Sequence, residues 1–120
     1  MTKFDKEFFD KFPLLYKNCN FIGCDNGWYD LLYELSEKLE NILKNNSSVS
    51  ITVDQIKKKF GGLRFYTSSN TDSVYEIINE YEAKSYQTCE FCGKQPATQN
   101  GKSWIRTTCD YCENIKDIIE

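Results

Sequence analysis

Two Cys-x-x-Cys pairs, Cys89/Cys92 and Cys109/Cys112, are the residues of this chain best suited to chemistry. Two intervening residues let both sulfurs of a pair reach one ion, and sixteen residues separate the inner cysteines. That spacing is the sequence form of a tetrahedral four-thiolate site, in which zinc sits about 2.3 Å from each sulfur. Four thiolates fill the coordination shell and leave no place for a reactive water. The expected cofactor is therefore one structural Zn2+. An iron–sulfur cluster uses the same ligands and is told apart by metal analysis. Metal binding would supply folding energy, on the order of 10 kcal/mol, to a segment with few apolar residues.

The chain has no histidine. That removes the commonest general base, the Ser–His and Cys–His nucleophile pairs, and any His-ligated catalytic zinc. No phosphate loop, nucleophile motif or paired carboxylates at a recognisable spacing replace them, so a binding protein is expected rather than an enzyme. Cys19 and Cys24 have too few ligands nearby for a second metal site and read as buried or incidental thiols.

The formal charge is −3, and a zinc ion with four thiolates would deepen it to about −5. Bulk attraction to duplex DNA is thereby disfavoured, and any anion must be held by a local patch. One exists. Lys57, Lys58, Lys59 and Arg64, set against Asp54, give residues 51–66 a charge of roughly +3. Such runs are usually solvated faces. Here the expectation is a hairpin turning at Gly61-Gly62, with Lys59 nearly opposite Arg64 and Tyr66 two residues on. Two cations beside an aromatic plane can clamp a phosphate and stack a base. Trp28, in the first turn of a helix, reads first as core and second as a further ligand contact.

The elements that must position these residues follow from periodicity. Phe4, Phe8, Phe9, Phe12 and Leu15 predict a short helix that ends near Lys11 or Phe12, because Pro13 disfavours helix before it. Residues 18–27 form a turn-rich loop. Trp28, Leu31, Leu32, Leu35, Leu39, Ile42 and Leu43 predict a helix over 28–45, capped by Asp25 or Asn26. The hairpin occupies residues 49–67, with a bulge near 55–57 where the alternation slips. Residues 72–86 predict a second long helix, with Ser73 and Glu76 at capping-box spacing. Asn100-Gly101 marks a hairpin between the knuckles, and Ile115, Ile118 and Ile119 a final short helix. The expected fold is α+β: a small antiparallel sheet or hairpin packed on two helices, with a C-terminal four-cysteine, treble-clef-like zinc unit. Residues 1–87 form the core, and residues 88–120 the zinc-binding unit docked on it.

No apolar run approaches the roughly 18 residues of a membrane span, and the start of the chain lacks a signal-peptide hydrophobic region. The expected location is cytoplasmic, where cysteines favour metal over disulfides.

Three blocks together resemble something known: Gly27-Trp28-Tyr29-Asp30-Leu31-Leu32 at a helix start; Lys59-Phe60-Gly61-Gly62-Leu63-Arg64-Phe65-Tyr66; and the Cys89-to-Lys94 knuckle followed by Trp104-Ile105-Arg106-Thr107-Thr108-Cys109. They are similar to a family of small bacteriophage and prophage proteins with no established activity. The likeness covers roughly residues 20–112 and is most specific in the Lys59-to-Tyr66 block. It implies a viral or prophage origin, hence a bacterial host cytoplasm, and carries over no functional residue. The leading expectation is a phage accessory protein that sequesters an anionic nucleotide-type ligand, such as a host immune signal. Lys59, Arg64, Tyr66 and Trp28 would be its contacts, and a homo-oligomer with shared sites suits that role. One alternative is a nucleic-acid-binding zinc-ribbon regulator using residues 57–59, Lys102 and Arg106, although Glu90, Asp110 and Glu113 offset much of that charge. The other is a protein that blocks a host enzyme through a protein–protein surface.

Overall fold

The computed structural model describes residues 3–19 and 21–119, with the side chains of residues 3, 4 and 115–119 excepted. The expected apolar positions Phe4, Ile115, Ile118 and Ile119 lie outside the described side chains. Helix α1 (Lys3–Lys11) stops ahead of Pro13 as predicted. Its Phe8 sits edge-on to Phe12, Tyr16, Tyr29 and Tyr33, with ring centroids 5.3 to 6.0 Å apart. The chain then turns, and the buried Glu40 carboxylate accepts from Leu15 N at 2.9 Å and Leu14 N at 3.4 Å. Glu40 belongs to helix α2 (Tyr29–Asn45), whose Leu32, Leu35 and Leu39 are buried. A charged residue on the core side of a helix is sustained here because its oxygens satisfy backbone donors the turn leaves open.

Residues 21–27, part of the expected loop, are less irregular than their composition suggests. Strand β1 (Ile22–Gly23) pairs parallel to β2 (Ile51–Lys59), with Ile22 opposite Ile56. Strand β3 (Gly62–Ser69) pairs antiparallel to β2, so the sheet is mixed, in the order β1-β2-β3, rather than antiparallel throughout. Its register shifts between Val53 and Gln55, one step before the expected bulge. Ile51, Val53, Ile56, Leu63 and Phe65 turn inward and share a core with α2 and with Val74, Ile78 and Tyr81 of helix α3 (Asp72–Ser85). Each such side chain gains roughly 1.5–3 kcal/mol from leaving water.

Three local expectations are corrected. The hairpin turns at Phe60-Gly61, not Gly61-Gly62, because Lys59 pairs with Gly62. Phe60 and Gly61 have φ of +54° and +78°, the double positive φ that a tight hairpin turn needs. Gly62 is required for another reason: a Cβ there would lie 2.3 Å from Cζ of Tyr86. At the helix starts, Asp25 makes no side-chain capping bond, and α2 is entered through a 3-10 turn at Asn26–Trp28. Helix α3 is entered through Thr71, ahead of Ser73, so the capping box does not form.

Helix α3 runs along the outer edge of β3. Leu63 N donates to Ser85 Oγ at 2.9 Å and Phe65 N to Glu82 Oε2 at 2.8 Å. Beyond α3 come strands β4 (Thr98–Asn100) and β5 (Arg106–Thr108), an antiparallel pair with a five-residue connection. Helix α4 (Asp110–Ile119) follows and already contains Cys112. Among the described residues no helix is long and apolar enough to cross a membrane.

Candidate functional site

The four cysteines converge. Sγ atoms of Cys89, Cys92, Cys109 and Cys112 all lie within 4.8 Å of one another, and those of Cys92 and Cys109 are 3.6 Å apart. Tetrahedral Zn–S bonds of about 2.3 Å place sulfurs about 3.8 Å apart, so the donor set fits such an ion. The first knuckle is closed by Gly93 N donating to Cys89 O and by Cys89 N donating to Lys94 O, both at 2.9 Å, with Gly93 at φ +82°. The second knuckle opens α4, where Glu113 N donates to Cys109 O. Burial opposes ionisation of Cys89, yet the backbone amides of Cys109, Cys92 and Phe91 outweigh it and hold the thiol down at about 7. Cys92 and Cys112 are pushed up, by burial first and then by the adjacent thiols. Sulfurs this close ionise together only around a cation.

The cysteine unit is seated on the core through the glycines of the signature blocks. Gly27 N donates to Glu90 O at 2.9 Å, and a Cβ on Gly27 would lie 2.2 Å from Cys89 O. Trp28 is fully buried, and its Nε1 donates to Thr88 O at 2.9 Å. It therefore packs under the first knuckle rather than facing a ligand. Thr107 Oγ1 donates to the carbonyl of Gly61, tying the hairpin turn to β5. Glu90, 1% exposed, accepts from Lys58 Nζ at 2.8 Å and from Thr107 N at 3.4 Å. The close approach that the glycines permit is thus of the chain to itself.

The hairpin cations are each laid over an aromatic ring. Lys57, not Lys59, stands opposite Arg64, and its Nζ is 5.8 Å from the Tyr66 ring centroid. Arg64 donates to Tyr86 OH at 3.0 Å and to Leu63 O at 3.1 Å. Lys59 lies over Phe60 at 5.7 Å and Lys58 over Trp104 at 5.4 Å. Phe60 and Trp104 are 67% and 72% exposed. They face a cleft of about 210 Å³ that Lys58, Lys59, Ser103 and Ile105 complete. Arg64 and Tyr66 line neither this cleft nor its neighbour, a cavity of about 550 Å³ bounded by Cys24, Asp25, Phe91, Trp104 and Arg106. A third groove, about 580 Å³, runs beside the first knuckle, but Asp30 and Glu34 line it and Lys84 lies over Tyr81.

Of the residues singled out from sequence, the structure gathers the four cysteines and keeps Lys59 at an aromatic-lined cleft. It sets Arg64 and Tyr66 further along the hairpin and buries Trp28. Phe60 and Trp104 enter the sequence reading only as members of the blocks that carry the resemblance, because the significance of Phe60 depends on the turn register and that of Trp104 on how the cysteine unit docks. Cys19 is buried, as expected. Cys24 is largely shielded, and burial, then Asp25, raise its thiol to about 12.

Fold and site together define an α+β protein with a small mixed sheet and a four-cysteine group that could hold a metal ion. Compared with known proteins, the chain matches no family model, no curated protein and no solved structure.

Proposed function

We propose that this is a binding protein for an anionic, nucleotide-type ligand, held in the cleft between the β2–β3 turn and the loop joining β4 to β5. The observation that carries the reading is the pair Phe60 and Trp104, both exposed, flanking Lys58 and Lys59. Exposed aromatic planes beside cations stack bases and neutralise phosphate, with stacking worth roughly 1–3 kcal/mol per base. The backbone of Phe60 supports it. A bulky residue at φ +54° is uncommon and costs on the order of 1–3 kcal/mol, and such strain concentrates at ligand sites. Lys59 remains the principal cation; Lys58 is partly neutralised by Glu90.

The four cysteines hold one structural zinc in a treble-clef-like unit whose role is to present Trp104 opposite the hairpin turn. Four thiolate ligands and no open coordination position support a structural ion. The chemistry is binding, not turnover. The sequence resemblance implies only a viral or prophage origin; sequestration of a host nucleotide signal is the role that we propose within that setting.

The test uses quenching of tryptophan emission, which a ligand in the cleft exerts on exposed Trp104 while buried Trp28 stays out of its reach. Titration with adenosine monophosphate and cyclic nucleotides should quench it, and Lys59→Ala or Phe60→Ala should weaken binding at least tenfold. No quenching by any nucleotide, or quenching unchanged in both variants, refutes the reading. Quenching by duplex DNA alone, falling steeply with salt, would favour the regulator instead.

A further inference from the structure

Trp104 is a partition. It lines both the 210 Å³ cleft and the 550 Å³ cavity, and Lys58 is the other residue common to the two. The ammonium of Lys58 is fixed at that partition by the buried Glu90 carboxylate and lies over the indole. Small-molecule pockets enclose roughly 300–1,000 Å³, so the smaller cleft alone encloses one nucleotide only in part, with the remainder in solvent, while the two joined fall within the range.

The compartments also differ in charge. The smaller one carries Lys58 and Lys59 and no carboxylate. The larger one carries Lys58 and Arg106 against Asp25 and Glu90, and Arg106 is already bonded to Glu113. Its near-neutral lining disfavours a phosphate, whereas the half-exposed Phe91 ring offers a stacking plane and Asp25, free of a capping role, an acceptor for the N–H groups of a base. A base therefore suits each side of the indole, and a phosphate suits the lysine side.

We infer that the ligand spans both compartments: a dinucleotide or longer single strand, with one base in the smaller cleft against Trp104, the next in the larger cavity against Phe91, and the linking phosphate beside Lys58 and Lys59. This rests on the nucleotide-binding reading above and goes beyond it by requiring two bases. Stacking against Phe91 is what a second base adds, and a gain on the order of tenfold in affinity follows from one further stack.

The experiment compares adenosine monophosphate with 5′-phosphorylated diadenylate by Trp104 quenching, in the parent protein and in Phe91→Ala. Phe91 is exposed and borders only the larger cavity of the two, so its removal leaves the fold and the smaller cleft intact. The expected result is about tenfold tighter binding of the dinucleotide, an advantage that Phe91→Ala abolishes without changing monophosphate binding. Equal affinity for the two ligands overturns the two-base assignment and leaves the one-base reading standing. A dinucleotide advantage that survives Phe91→Ala also overturns it. If neither ligand quenches, the nucleotide reading itself is wrong.

Discussion

Gly27→Ala separates local propensity from tertiary docking, because the two predict opposite signs. Gly27 lies in the 3-10 turn that leads into α2, with no positive φ, so alanine there should stabilise by about 0.4–1 kcal/mol through the unfolded state alone. The first knuckle reverses this. The added methyl would fall 2.2 Å from Cys89 O, 2.3 Å from Glu90 C and 2.5 Å from Glu90 O, all backbone atoms that have no rotamer to yield. Overpacking of this kind costs typically 1–3 kcal/mol, and separating the two stretches of chain forfeits the Gly27 N to Glu90 O hydrogen bond, about 0.5–1.5 kcal/mol. The net expectation is a loss of about 2–3 kcal/mol. With a urea slope of about 1–3 kcal/mol per molar, the unfolding midpoint should fall by about 0.7–3 M. Gly23→Ala, whose nearest neighbour would be Ile56 O at 3.1 Å, serves as the mild control. A Gly27→Ala midpoint at or above the parent, or no lower than that of Gly23→Ala, would refute the seating of the cysteine unit on the start of α2.

Three further outcomes are expected. Glu90→Ala should cost about 3–5 kcal/mol in urea unfolding by stranding Lys58 and Thr107 N, and pairing Lys58→Met with Glu90→Leu should recover part of it. Glu40→Ala should cost about 2–4 kcal/mol by leaving Leu14 N and Leu15 N without their carboxylate, with amide hydrogen exchange at those two positions accelerating most. Cys24, raised to about 12, should carry a thiolate in only about one molecule in ten thousand at pH 8; iodoacetamide labelling at Cys24 of the folded protein, read by peptide mass, should climb roughly tenfold per pH unit up to pH 11 and be fast only after unfolding.

Much of the architecture was legible because it is local. The Trp28-to-Leu43 stripe, the halt before Pro13 and the two knuckles each follow from spacing within a few residues, and α2, α1 and the cysteine group appear accordingly. What escaped was long-range. Ile22 and Gly23 make a strand only because Ile56 and Lys57 lie alongside, and no pattern in residues 18–27 encodes that. The Gly61-Gly62 pair suggested its own turn, but Gly62 answers to Tyr86 and the turn moves to Phe60-Gly61. The site shifted for the same reason: with Lys57 opposite Arg64, Lys59 turns toward Phe60 and the β4–β5 loop instead of joining Arg64. Glu90, counted from sequence as one of several surface acids, is instead the buried partner of Lys58.

The side chains of Ser85 and Glu82 occupy two backbone donors, Leu63 N and Phe65 N, on the outer margin of β3. Another chain finds no open amide at those two positions, and on the opposite margin β1 covers Ile56 and Lys57 of β2 while Leu15 O accepts from Val53 N. Part of each margin of the sheet is thus already bonded within the molecule, which works against edge-to-edge stacking of the folded protein.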